Sequence, residues 1–204
     1  IFSIVIASAF LPFFPMTALQ ILLLNLLYDL LCLVLPWDQV DESICAKPLE
    51  WSGKTLGRFM RFFGPISSVF DIITFAYLFF VLCPAVCGGT FASLSGSGEQ
   101  ARFIILFQTG WFLESMWTQV LILHLLRTQK VPLLQSRPSR PVMVVTLLGT
   151  AVFTLLTFTP MGEWIGLTAL PPVYFVFLAV TVFFYLLWVT LAKRWYIRRY
   201  HELL

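Results

Sequence analysis

Six apolar stretches separated by short polar breaks constrain this chain more than any other feature. They run from Ile1 to about Pro15, Ala18 to Leu35, Gly64 to about Leu82, about Phe103 to Leu126, Val142 to about Phe158, and about Tyr174 to Ala192. None shows the alternation of a barrel strand, and the intact ones have helical length, near the ~20 residues that span a bilayer. In lipid only helices and closed barrels satisfy the backbone. The expected fold class is therefore all-α: a polytopic membrane bundle of six transmembrane helices. Composition agrees. Of 204 residues, 59% are hydrophobic and 11% charged, and mean hydropathy is +0.90, whereas soluble domains carry about 25% charged residues. A water-soluble globular enzyme is excluded, as are disordered, collagenous and disulfide-framework chains. The net charge of +3 is too small to point to nucleic acid.

The chain opens on Ile1-Phe2-Ser3-Ile4, within an apolar run and without Met. No basic region precedes that run, so it does not read as a signal peptide. The expectation is a fragment whose first helix has lost its beginning. The first two stretches, joined around Met16-Thr17, are expected to form a tight antiparallel hairpin.

Lys and Arg set the orientation. The segment 36–63 holds Lys47, Lys54, Arg58 and Arg61; the segment 127–141 holds Arg127, Lys130, Arg137 and Arg140; the tail 193–204 holds Lys193, Arg194, Arg198 and Arg199. These are twelve of the thirteen basic residues, Arg102 being the other. The positive-inside rule places all three segments, including the C-terminus, in the cytoplasm. Lys54, Arg58 and Arg61 recur at helical spacing beside Leu56, Phe59 and Phe62. This reads either as an interfacial helix facing lipid head groups, anionic ones included, or as an ordinary basic flank. Gly88 to Gly98 is small and polar and reads as a flexible link. Cys32 is expected to serve packing, and Cys45 to be a reduced cytoplasmic thiol. Cys83 and Cys87 form either a disulfide or two buried free thiols. No Cys/His spacing matches a zinc site, and there is no internal repeat.

Ionisable side chains inside spans are costly and mark function by default. Asp29 lies well inside the second stretch. Asn25, four residues before it, projects from the same helix face. A carboxylate and an amide oxygen on one face suit a hard cation such as Mg²⁺ or Ca²⁺, with Tyr28 as a supporting neighbour. The competing reading is a buried Asn–Asp pair that only pins helix packing. Glu114 lies mid-span in the fourth stretch. Trp111, Glu114 and Thr118 share one face there, and Gln108, Ser115 and Gln119 an adjacent one. So many polar groups must line a protein interior or a wet cavity. Glu114 is a candidate cation ligand with Ser115 in support, or else a member of a packing network. Ser67, Ser68, Asp71 and Thr74 make a polar face on the third stretch. Asp71 is expected to snorkel or pair with a basic loop residue, in a supporting role. His124 is expected to be a buried, hydrogen-bonded neutral histidine. The sequence contains no phosphate-binding glycine loop, no nucleophile–base constellation and no soluble stretch long enough for a catalytic domain.

The run Leu22 to Asp29, with Leu35-Pro36-Trp37-Asp38, resembles the sixth membrane helix of P-type cation pumps, where an Asn-x-x-x-Asp pattern contributes ion ligands. Gly57-Arg58-Phe59-Met60, Gly64-Pro65 to Asp71, Phe107 to Ser115, His124 to Thr128, Pro132 to Arg137 and Tyr196 to Tyr200 resemble the bacterial magnesium-transporting P-type ATPases. The resemblance extends over essentially the whole chain. It implies that the six stretches are the pump's fifth to tenth helices in the bacterial inner membrane. It further implies ATP-driven Mg²⁺ import through an aspartyl-phosphate, with ATP bound and the phosphorylated Asp placed upstream of Ile1. The partners implied are the rest of the pump's own chain and the bilayer, with Mg²⁺ the transported ion. Asn25 and Asp29 match the sixth-helix motif by position, with Tyr28 where related calcium pumps carry Thr. Glu114 lies on the helix that supplies a ligand in some relatives. A secondary cation transporter, a channel and a non-transporting membrane support remain rival readings. Oxygen ligands alone leave Ca²⁺, Mn²⁺ and H⁺ open as the ion.

Overall fold

A computed structural model describes residues 2–38, 53–128 and 138–200 of the chain. These form seven helices and, among the described residues, no strand: α1 (Phe2–Phe10), α2 (Ala18–Val34, followed by a 3₁₀ turn Leu35–Trp37), α3 (Gly53–Cys87), α4 (Ser97–Leu126), α5 (Arg140–Leu156), the short α6 (Pro160–Trp164) and α7 (Pro172–Tyr200). The sequence positions Cys45, Lys47, Lys130, Pro132 to Arg137 and the tail after Tyr200 lie outside the described residues.

Among the described residues, three helices are long and apolar enough to cross a membrane: Ala18–Trp37, α3 and α7; α5 is a shorter apolar helix. The expected first span is cut short. Pro12 has no amide hydrogen to continue the helix, α1 ends at Phe10, and residues 11–17 run as an irregular link. As a result α1 packs against α3, and the expected tight hairpin with α2 does not form. Thr17 then starts α2 with a reciprocal cap: Gln20 N–H donates to Thr17 Oγ1 at 3.3 Å and Thr17 N–H to Gln20 Oε1 at 3.1 Å. The remaining amide of Gln20 donates to the Gly166 carbonyl at 3.0 Å, tying the start of α2 to the α6–α7 link.

Helix α3 begins eleven residues before the expected start of the third span, at Gly53 rather than Gly64. At 35 residues and 1.5 Å per residue it is about 50 Å long, well beyond the ~30 Å hydrocarbon core. Its basic first turns are neither a separate interfacial helix nor a plain flank. Phe59, Phe62 and Phe63 pack around Tyr196 of α7 with ring centroids 5.3–6.2 Å apart, and the Arg58 guanidinium lies 4.7 Å from the centre of the Tyr200 ring. Further along, a π-turn at Leu78–Leu82 precedes Pro84, with Cys83 N–H bonded to the Leu78 carbonyl. The widened turn absorbs the proline's missing donor without ending the rod. Gly88, at φ +79°, closes the helix in the left-handed conformation that favours glycine.

Helix α4 is the centre of the bundle and contacts α2, α3, α5 and α7. Its buried residues occupy every side, as expected of a fully enclosed helix. Its polar groups therefore turn inward, away from lipid. The outward faces of α5 and α7 are apolar instead, exposing Leu147, Leu148, Phe183, Phe184, Leu187 and Trp188. The segment expected as a flexible link is a packed turn. Leu94 is buried, Gln100 Nε2 donates to its carbonyl at 2.7 Å, and Phe91 packs at an angle against Phe13 and edge-on against Phe103. Cys83 and Cys87 are free thiols, as is Cys32.

Candidate functional site: a polar cavity inside the bundle

Polar residues of five helices meet in one cavity of about 450 Å³. Asn25 enters from α2, Ser67 and Asp71 from α3, and Trp111, Ser115, Thr118 and Gln119 from α4; Ser3 of α1 and Tyr185 of α7 close its sides. The cavity exists because polar positions recur at helical spacing on otherwise apolar helices. Ser67 and Asp71 are four residues apart, as are Trp111 and Ser115, and Ser115 and Gln119, so each set points the same way. Thr118 satisfies its hydroxyl locally on the Glu114 and Ser115 carbonyls, and Ile4, Met16, Ile21, Leu24 and Ile122 make the rest of the wall apolar.

The predicted site residues separate into two groups. Asn25 lines the cavity and is itself exposed; Asp29, one turn further along the same face, is exposed together with Tyr28 and does not line it. Asn25 and Asp29 make no hydrogen bond among the described residues, so the mutual pair required by a pure packing role is absent. Asp71 behaves differently from its expectation. No described basic side chain pairs with it; instead it accepts a hydrogen bond from Ser3 Oγ. Its position mid-way along α3 puts the basic first turns of that helix out of reach. Glu114 is fully buried, and neither of its carboxyl oxygens has a hydrogen-bond partner. It lies close enough to Asp71 for the two carboxyl groups to interact directly. Ser115 is on the cavity wall. His124 is buried, as expected, and its Nδ1 has no hydrogen-bond partner among the described residues. Among the described residues no three His, Cys, Asp or Glu side chains converge on one point.

Sequence reasoning missed a second polar assembly. At the other end of α4, Arg127 forms a buried ion pair with Asp38, just past the 3₁₀ turn after α2. Asp38 Oδ1 also accepts the Ser139 backbone N–H, at the start of α5, at 2.7 Å. Lys193 of α7 is 2% exposed and donates to the carbonyls of Leu125 and Thr128, closing the C-terminus of α4. Counting Arg127 and Lys193 only as orientation charges concealed this role. The one available signal was the position of Asp38 directly after a helix stop.

Comparison with known proteins decides the family. The model for "Cation transporting ATPase, C-terminus" matches residues 13–195. The chain belongs to this cation-transporting ATPase family. Among curated relatives, "Magnesium-transporting ATPase, P-type 1" of Salmonella typhimurium LT2 is 42% identical over 202 residues, which are 99% of this chain and 21% of that protein. The protein of the same name from Escherichia coli K12 is 40% identical over 200 residues, 98% of this chain and 21% of its own length. The chain thus spans about a fifth of the length of the relatives it matches. The cavity among α2, α3 and α4 belongs to the C-terminal membrane part of a cation-transporting ATPase.

Proposed function

We propose that this chain is the membrane half of an ATP-driven Mg²⁺ importer and contributes part of its intramembrane cation site and pathway. One observation carries the reading. In a bundle of the cation-ATPase family, Asn25 of the Asn-x-x-x-Asp motif lines a cavity together with Ser67, Asp71, Ser115 and Gln119 of the neighbouring helices. Asp29 is the principal charge, Asn25 a neutral oxygen donor and Glu114 a third ligand or gate, with Tyr28, Ser115 and Asp71 in support. The exposure of Asp29 supports this reading. A lone carboxylate on an apolar helix costs about 3 kcal/mol at mid-bilayer, and covering by the remaining pump chain relieves that cost.

In this reading the six apolar stretches are the pump's fifth to tenth helices, in the bacterial inner membrane with the C-terminus in the cytoplasm. ATP and the phosphorylated Asp belong to the part of the pump outside this chain. Phosphorylation there reorients the helices so that Asn25 and Asp29 face first one side of the membrane and then the other. Mg²⁺ is the transported substrate. It gives up its water reluctantly, so few direct protein ligands are needed.

The test uses the full-length pump in a strain lacking its own Mg²⁺ importers. Asp29→Asn is expected to insert normally and to abolish Mg²⁺-dependent growth rescue. Normal rescue by that variant refutes the role, and a non-transporting support domain predicts that outcome.

A further inference from the structure

A separate cavity of about 480 Å³ lies between α4 and α5, and it shares no residue with the one that Asn25 lines. Val120, His124, Thr146 and Thr150 form its buried floor, and Leu147, Ala151 and Leu155 of α5 form an exposed lip. The polar groups of its wall are already bonded, with one exception. Thr146, Thr150 and Thr154 donate to carbonyls of the preceding turn of α5, and Thr154 Oγ1 also accepts the Trp117 indole N–H at 3.3 Å. His124 is 8% exposed, and its Nδ1 is, among the described residues, the one buried side-chain polar atom of this wall without a hydrogen-bond partner. A ring nitrogen left bare among apolar side chains costs free energy, which a ligand with a polar group recovers.

The shape of the cavity selects the ligand. Its lining on α5 spans residues 143–155, about 18 Å of helix at 1.5 Å per residue. Trp117 pairs with Thr154 at the far end, so the antiparallel helices put His124 beside the first turns of α5. A fitting ligand therefore has one polar end and a long apolar body, the plan of a lipid tail. Its head must be small. His124 sits on the buried floor, where a carboxyl group reaches and a phosphoglycerol carrying a second chain does not. A carboxyl group pairs with Nδ1 in either protonation state: the acid O–H donates to the bare nitrogen, or a ring N–H donates to the carboxylate. Arg140, exposed one turn before Met143, and the N-terminus of α5 favour an acid over an alcohol.

We propose that the cavity between α4 and α5 binds one long-chain fatty acid, its carboxyl group on His124 Nδ1 and its tail against Leu147, Ala151 and Leu155. The acid enters sideways from the leaflet next to the C-terminal end of α4, past the exposed lip of α5. The site stands on the geometry of these two helices and does not depend on the pump reading.

The test uses the purified full-length protein in phosphatidylethanolamine nanodiscs, with a photoactivatable palmitate as the probe. Peptide mapping after cross-linking is expected to find the label on residues 117–124 and 143–155. Unlabelled palmitate is expected to displace it, and phosphatidylglycerol is not. His124→Phe keeps a ring and removes its nitrogens. It is expected to raise the half-saturating palmitate concentration about tenfold, as loss of one hydrogen bond to a charged group predicts. His124→Gln, which keeps a hydrogen-bonding group, is expected to recover most of that loss. Ala151→Phe, on the exposed lip, is expected to fill the tail channel and abolish the labelling. Label spread evenly over the lipid-facing helices overturns the proposal. So does equal displacement by phosphatidylglycerol, which would make the occupant an ordinary bilayer phospholipid. Unchanged half-saturation in His124→Phe or unchanged labelling in Ala151→Phe overturns it as well, and Ala151→Phe decides alone where His124→Phe fails to insert.

Discussion

Lys193 of α7 donates to the Leu125 carbonyl at 2.6 Å, so an ammonium group closes the end of the central helix from the side. The same ammonium reaches the Thr128 carbonyl. Removing it takes a charged donor from both carbonyls at the end of α4. Each such loss costs about 1–3 kcal/mol. Lys193→Met is therefore expected to lower the Tm of the full-length protein in detergent by several degrees. A Tm equal to the wild type's would show that water or another side chain takes over the cap.

The ion pair between Arg127 and Asp38 joins the chain after α2 to the end of α4. Breaking a buried pair by removing one partner costs about 3–5 kcal/mol, because the other charge is stranded. Arg127→Ala is expected to destabilise by that order. Asp38→Ala combined with Arg127→Ala is expected to recover part of the loss, although the Ser139 N–H then loses its acceptor. A double-mutant cycle read by thermal or denaturant unfolding gives the coupling; a coupling near zero would contradict the account.

Helices α3 and α4 pack tightly at Gly110. A Cβ there would lie 2.6 Å from Leu78 Cδ2, and the Gly110 carbonyl also accepts the Tyr174 hydroxyl at 2.5 Å. Gly110→Ala is expected to cost about 1–3 kcal/mol by overpacking. Leu78→Ala in the same chain is expected to relieve that added strain, so that the two losses are less than additive. Additive losses would mean that the helices do not meet in this register.

Legibility followed the physics of each region. Apolar runs separated by prolines and charges disclosed the helices, because in lipid hydropathy and backbone satisfaction act together. The ends of α3 and α7 were hidden: Phe59, Phe62 and Tyr196 bind each other beyond the apolar core, where local hydropathy carries no signal. Helical spacing put Asn25 and Asp29 on one face of α2 but did not disclose that Asn25 alone of the two lines the cavity. The partnership of Asp71 with Ser3 and Glu114 was not visible either, since it depends on how three separate helices rotate against one another. Lys193 likewise read as a tail charge until α7 was seen to pack along α4.

Asn25 connects every part of this account. It belongs to the motif with Asp29 and also faces the cavity that holds Asp71. The most direct measurement is therefore Mg²⁺ uptake by the full-length pump carrying Asn25→Ala, at matched membrane abundance. The account predicts a half-saturating Mg²⁺ concentration raised about tenfold, the loss expected for one ligand contact to a charged ion. Uptake with the wild-type concentration dependence would contradict it.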